Sequence, residues 1–328
     1  MRDLVRGCAI ICAVFGAMLG PARAEDPSAF PDRPIHLVVA FVPGGATDTL
    51  TRQLTEDLKE ALGAPVIVEN RPGANGYLAW NYVAGADPDG YTLLMAENAL
   101  GISQGLFKRA TFDPLKQYDA IAGVAFSPLT LAVAKNVKAG TMAELIALAR
   151  VTPKKLNYAS AGVGSVAHLT WEVIRAAADI DTVHVPYKGG GQAMGDIIAG
   201  HIEMNMAAVS VAKPLVESGL IKALVVTGNE RSPALPEVPT LKEAGIKTAD
   251  VDLRFWYGVF GPKGIPAPIR AKLEHAVATV MTSPSVRARL AKLDITPDFA
   301  PGTALRAKLE NEIVNWTRFI DAHGIKAE

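Results

Sequence analysis

Short apolar, β-branched runs alternate along this chain with stretches whose apolar residues recur every three or four positions. Ile35 to Val42 is the first such run, and Leu50, Leu54, Leu58 and Leu62 then follow at intervals of four, one face of a helix. Val66 to Val68 and Leu93 to Met95 read as further strands, separated by the loop Arg71 to Gly76 and the turn Asp87-Pro88-Asp89-Gly90. Asp113-Pro114 opens an irregular stretch. Beyond it Leu131 to Ala134, Leu156 to Ala159, Val183 to Val185 and Ala223 to Thr227 are strands, and Ile202, Met204 and Met206 alternate as in a half-buried one. Thr141 to Arg150, Val166 to Ala177 and Gln192 to Ala199 are helices. Thr141 and Glu144 have capping-box spacing, and Gly200 closes the third. Toward the end, Leu273, Val277, Val280 and Met281 form one helical stripe, and Leu305, Leu309, Ile313, Trp316 and Ile320 another.

Alternating strands and helices predict α/β architecture with parallel sheets covered by helices. Ligands of such sheets sit beyond the carboxyl ends of strands, where helices begin. Two glycine-rich turns fall there: Pro43 to Asp48 after the first run, and Ser160 to Ser165 after Leu156 to Ala159. A helix start offers free N–H groups and partial positive charge, and glycine lets backbone come close to a guest. Facing each other, the two turns would hold a small anion by backbone alone. Tyr187 to Gly191 is a third turn of this type, or a surface connection with a solvated Lys188.

The first residues change the picture from fold to address. Arg2 and Arg6 precede the apolar stretch Gly7 to Gly20, and Ala22-Arg23-Ala24 fits small-x-small cleavage, so residues 1–24 read as a secretory signal with Glu25 first in the mature chain. Both cysteines, Cys8 and Cys12, lie in that segment, so disulfides do not hold the mature chain together. The full chain has 33 basic and 33 acidic residues; without Arg2, Arg6, Arg23 and Asp3 the balance is 30 to 32. That argues against nucleic acid or an anionic membrane surface as partner.

Seven segments in order, FVPGGATDTLTRQL, VIVENRPGANG, DPDGYTLLMA, NYASAGVGSVAHL, VPYKGGGQAMGDIIAGHIEM, LPEVPTLKEAG and WYGVFGPKGIPAPI, resemble the periplasmic solute-binding receptors of tripartite tricarboxylate transporters, the Bug family. The likeness runs from about Pro34 to the C-terminus. It implies a two-lobed periplasmic-binding-protein fold of type II, a Venus flytrap with two crossover strands, closing on a small carboxylate. It also implies delivery to a membrane transporter or report to a sensor kinase. The crossings are expected near Phe126 to Leu131 and Arg254 to Tyr257. Lobe one would be 25–127 plus 256–328, and lobe two 128–255, in a monomer.

The candidate contacts follow. Phe41, Gly45, Ala46 and Thr47 carry the first turn. Asp48 either offsets the helix dipole or meets a ligand amine; the sequence leaves both open. Ser160, Gly162, Val163, Gly164 and Ser165 form the second turn, with His168 one turn further on. Asn75, Asn98, Tyr187, Ser210 and Trp256 are further candidates at loop or hinge positions. Glu97 beside Asn98 sits oddly in a pocket meant for an anion: it points outward or selects a positive group. Arg254 is the best-placed permanent charge near the second crossing. Scattered histidines, with no metal spacing and no phosphate-loop lysine, argue for binding without cofactor or metal rather than catalysis. An exported small-acid enzyme of dehydratase type on the same scaffold is the alternative.

Overall fold

The computed structural model describes residues 30–107, 112–248 and 251–326; the expected signal segment, residues 1–24, lies outside them. Two mixed sheets carry the chain. In the first, β1 (Ile35–Val39), β2 (Val66–Asn70) and β3 (Thr92–Glu97) run parallel in the order β2-β1-β3. Beside β3 lie β10 (Phe255–Pro262), then β4 (Tyr118–Ser127), then β11 (Thr296–Pro301), all antiparallel to their neighbours. In the second, β7 (Val183–Pro186), β6 (Asn157–Ser160) and β8 (Met204–Ala208) are parallel, and β5 (Leu129–Ala134) and β9 (Ile221–Val226) complete the far side antiparallel.

The chain passes between the sheets where Pro128 alone separates β4 from β5. It returns on β10, whose first residues pair with the outgoing strand, Phe255 with Ser127 and Trp256 with Phe126. The long connection before β10 is proline-rich, and its Leu235 and Val238 pack with Val209 and Val226.

Sequence pattern explains most elements. The first helix, α1 (Ala46–Leu62), buries Leu50, Leu54, Leu58 and Leu62 and stops at left-handed Gly63, whose N–H closes on the Lys59 carbonyl at 2.9 Å. On α5 (Met142–Val151), Thr141 Oγ1 accepts from the Glu144 amide at 3.2 Å. Glu144 reaches one residue further back than a capping box requires, to the Gly140 amide at 2.6 Å. The stretch after Asp113 is not irregular: Asp113 accepts from Leu115 N and caps α4 (Pro114–Gln117), which leads directly into β4. Strand β8 is buried along its whole length rather than half-buried, because it lies at the centre of its sheet.

Helices α2 (Tyr77–Ala84), α3 (Ala99–Phe107), α6 (Val166–Ala178), α7 (Gly190–Ala199), α8 (Val209–Glu217), α9 (Ala267–Thr282), α10 (Pro284–Ala291) and α11 (Gly302–Ala322) cover the sheets. The last serves both cores. Its Leu305 and Leu309 pack with Trp256 and Phe260 of the first sheet, while Trp316, Phe319 and Ile320 join the cluster of Leu129, Leu131 and Met206 on the second. Among the described residues no helix is long and apolar enough to cross a membrane.

Candidate ligand-binding cavity

A cavity of about 100 Å³ lies between the sheets, room for several waters or one small organic molecule. From the first sheet come Phe41, Val42, Gly44 to Asp48, Glu97 and Phe255. From the second come Leu129, Ala161, Ser165 to Ala167, Gly190, Gly191, Met194, Asn205 to Ala208 and Val211. Three helices begin on it: α1 after Gly45, α6 after Ser165 and α7 after Gly189. The amides of Gly45, Ala46, Thr47, Val166, Ala167, Gly190 and Gly191 have no hydrogen-bond partner among the described residues. They are the first-turn donors that a helix cannot satisfy internally. None of the cavity residues is lysine, arginine or histidine. Positive potential there comes from backbone and helix dipoles.

Of the residues singled out from sequence, Phe41, Gly45, Ala46, Thr47, Asp48 and Ser165 line this cavity. The Asp48 carboxylate already has partners on its own side of the cavity. One oxygen accepts from Gly44 N at 3.0 Å, the other from Asn70 Nδ2 at 2.9 Å, and Arg52 bonds both. Although burial opposes ionisation, Arg52, Gly44 and Asn70 together hold the Asp48 carboxyl below the usual carboxylate range.

The others are engaged elsewhere. Asn98 is fully buried: its Oδ1 accepts from Trp256 N at 3.0 Å and its Nδ2 donates to the Arg254 carbonyl at 3.1 Å, pinning the returning strand. Trp256 is packed against Phe260 and the Leu305–Leu309 face. Arg254 turns to Asp252, with contacts of 2.9 and 2.8 Å. Tyr187 donates its hydroxyl to Asp196 at 2.6 Å. Ser210 Oγ is buried without a partner, outside the cavity lining.

The second turn is locked by its own side chains. Ser160 Oγ accepts from Gly162 N at 3.1 Å and shares a 2.6 Å hydrogen bond with His184 Nε2. Gly164 N donates to His168 Nδ1 at 3.1 Å, and the two imidazoles stack at 4.1 Å. The Gly162 and Gly164 amides are thus occupied. The free donors of this turn lie one step on, at Val166 and Ala167. Val163 faces the same side as His168, His184 and Tyr158, in a separate hollow beside His323.

The glycines have another reason to be there. Gly162 (φ +117°) and Gly164 (φ +82°) hold left-handed backbone that side chains rarely adopt. A β-carbon at Gly162 would also lie 2.7 Å from Asn75 Oδ1, one at Gly164 2.7 Å from Leu106 Cδ2, and one at Gly189 2.4 Å from Val42 Cγ2. Val42, Asn75 and Leu106 lie in the segments that follow β1, β2 and β3 of the first sheet. The glycines let the two halves of the molecule close on each other.

Two polar cavity residues were underweighted by sequence. Asn205, on β8, is 3% exposed, and its Oδ1 is buried without a hydrogen-bond partner. Its signal was available, a polar residue inside the run Met204-Asn205-Met206, but it reads as a solvent-facing position until the strand is known to be central. Glu97, whose direction the sequence left open, is 4% exposed and faces the cavity. One of its oxygens accepts from Ala99 N at 2.9 Å. Burial pushes its acid up to about 8; the Ala99 bond opposes this and Glu312 reinforces it.

Comparison with known proteins agrees with this architecture. The profile described as "Tripartite tricarboxylate transporter family receptor" matches residues 50–325. The chain is similar to R. palustris Rpa4515 solved with adipate, at 30% identity and a TM-score of 0.86, covering 90% of this chain and 99% of that one. It is similar to the periplasmic binding protein BugD, at 30% identity and a TM-score of 0.86 over 91% of this chain and all of the other. It is also similar to MatC of Rhodopseudomonas palustris with bound malate, at 33% identity and a TM-score of 0.82 over 88% and 99%. Matched by the family model over residues 50–325 and by related structures over nearly its whole length, the chain belongs to the tripartite tricarboxylate transporter receptor family and has the two-lobed α/β fold of periplasmic binding proteins.

Proposed function

We propose that this protein is an exported receptor that captures a small carboxylate between its lobes and presents it to a membrane transporter of the tripartite tricarboxylate type, or to a sensor. The observation that carries this reading is the meeting of three helix starts, with unpartnered amides from both sheets, on one cavity without a basic side chain. A carboxylate is the guest such donors suit: small, anionic and able to accept several N–H bonds. Each charge-assisted bond contributes about 1.5–3 kcal/mol. A few of them, less the cost of association, support binding at about micromolar level. Adipate and malate in the related structures are guests of this class.

The lobes of the proposal are 25–127 with 256–328, and 128–255, the mature chain starting at Glu25. A panel of succinate, malate, adipate, L-aspartate, L-glutamate and benzoate, read by thermal shift and calorimetry, tests the reading. At least one acid should raise the melting temperature and be recovered unchanged by mass spectrometry after long incubation. No shift with any acid refutes carboxylate capture, and a chemically altered acid refutes pure binding.

A further inference from the structure

Resting on that reading, we propose that Glu97 is a specificity-determining residue of the cavity, serving as a neutral carboxylic acid that donates a hydrogen bond to the captured anion. The geometry places it for this. Glu97 ends β3, faces the cavity and is almost fully enclosed. Its Oε2 is taken by Ala99 N, while Oε1 has no partner among the described residues. No basic group lines the space that would neutralise an ionised Glu97. Across the cavity Asn205 supplies an amide whose Oδ1 is likewise unpaired. A neutral acid and an amide give the cavity two uncharged polar groups, one from each sheet.

The surrounding charges favour the neutral form. On β10, Tyr257 stands in register beside Glu97 and spends its hydroxyl on Ser127 at 3.2 Å. On α11, Glu312 is a second buried carboxyl whose own acid is pushed up to about 7, chiefly by burial. On α1, Asp48 is already paired with Arg52. Further out, Arg254 and Lys308 are drawn to Asp252. The lining residues of the second sheet carry no ionisable group. Burial has raised the Glu97 acid to about 8 in the unliganded cavity, and an anion beside it raises it further. Glu97 therefore keeps its proton at neutral pH. The sign follows: anion capture is intact below about pH 8 and weakens as Glu97 ionises above it. An ionised Glu97 would instead serve a guest carrying an ammonium group.

The test uses the full-length mature protein, its Glu97→Gln variant, and four probes: succinate, adipate, L-aspartate and L-glutamate. In ligand-free protein labelled with carboxyl-¹³C glutamate, one resonance absent from E97Q should titrate with a midpoint above 7; a midpoint below 6 overturns the proposal. In calorimetry the wild type should prefer succinate or adipate over the amino acids and lose about tenfold in affinity per pH unit above about 8. E97Q, a permanent but weaker donor, should bind the same acid within about fivefold of the wild type at pH 6.5 and stay flat to pH 9.5. Preference for the amino acids, abolished in E97Q, overturns the proposal in favour of the ionised form. Identical pH profiles in the two proteins overturn it while leaving carboxylate capture standing. No binding by either protein at any pH overturns both.

Discussion

Replacing Gly189 by alanine is the most direct probe of how the two halves meet. Gly189 has φ 176°, extended backbone that alanine adopts freely, so the substitution carries no conformational strain. Its effect is steric. The new β-carbon would lie 2.4 Å from Val42 Cγ2, where ordinary contact begins at 3.4 Å, so the facing turns must part by about 1 Å at that point. Valine cannot swing aside cheaply, since its two γ-methyl groups restrict rotation about χ1. Overpacking of this kind costs about 1–3 kcal/mol, which corresponds to about a five- to 150-fold loss of affinity. Val42 lines the cavity, so under the proposed function the loss is expected in ligand affinity. The assay is calorimetry on wild type, Gly189→Ala, Val42→Ala and the double variant, using the panel acid with the highest affinity. Removing the Val42 methyl groups relieves the clash, so the double variant should recover most of what Gly189→Ala lost, with a coupling energy of about 1 kcal/mol or more. Wild-type affinity in Gly189→Ala, or strict additivity in the double variant, would refute the idea that these turns touch when the cleft is shut.

The stacked imidazoles predict acid sensitivity. Gly164 N requires an unprotonated His168 Nδ1, and burial holds His168 down to about 4 and His184, with His168 beside it, to about 3. Unfolded histidine titrates near 6.5, so this contribution is whole above that pH and drains as pH falls toward 4. Urea titrations should show about 2 kcal/mol lost at pH 5 for His168, and less for the partly exposed His184. A His168→Gln/His184→Gln variant with the same pH slope as wild type would contradict this. Asn205→Leu should leave folding stability equal or higher, because it removes an unpaired buried oxygen, while weakening carboxylate binding about tenfold. A fall in stability with unchanged binding would show that Asn205 is structural.

Much of this molecule was legible in its residues because local physics decided it. The four-residue spacing of Leu50 to Leu62 defines a helix wherever it docks. The turns at Gly45 and Ser165 announce helix starts at strand ends, and the order of motifs pointed to two lobes. Long-range pairing was not legible. Strand β4 contains Ala120, Ala122, Gly123 and Ala125, which signal little by themselves, and it forms because β10 and β11 flank it.

The tertiary structure also decided what the polar residues do, because burial and partners are properties of the assembled chain. Asp48 was tied to its own side of the cavity once Arg52 and Asn70 closed on it. Asn98 and Trp256 were drawn into the hinge, and the Gly162 and Gly164 amides were claimed by Ser160 and His168. Glu97, an ordinary acid on paper, has its acid pushed up to about 8 because folding strips it of water and sets Glu312 nearby. A sequence lists which donors, acceptors and charges a protein owns. Which of them remain free to meet a guest is settled when distant segments pack, since each bond made inside the fold is one withdrawn from the cavity.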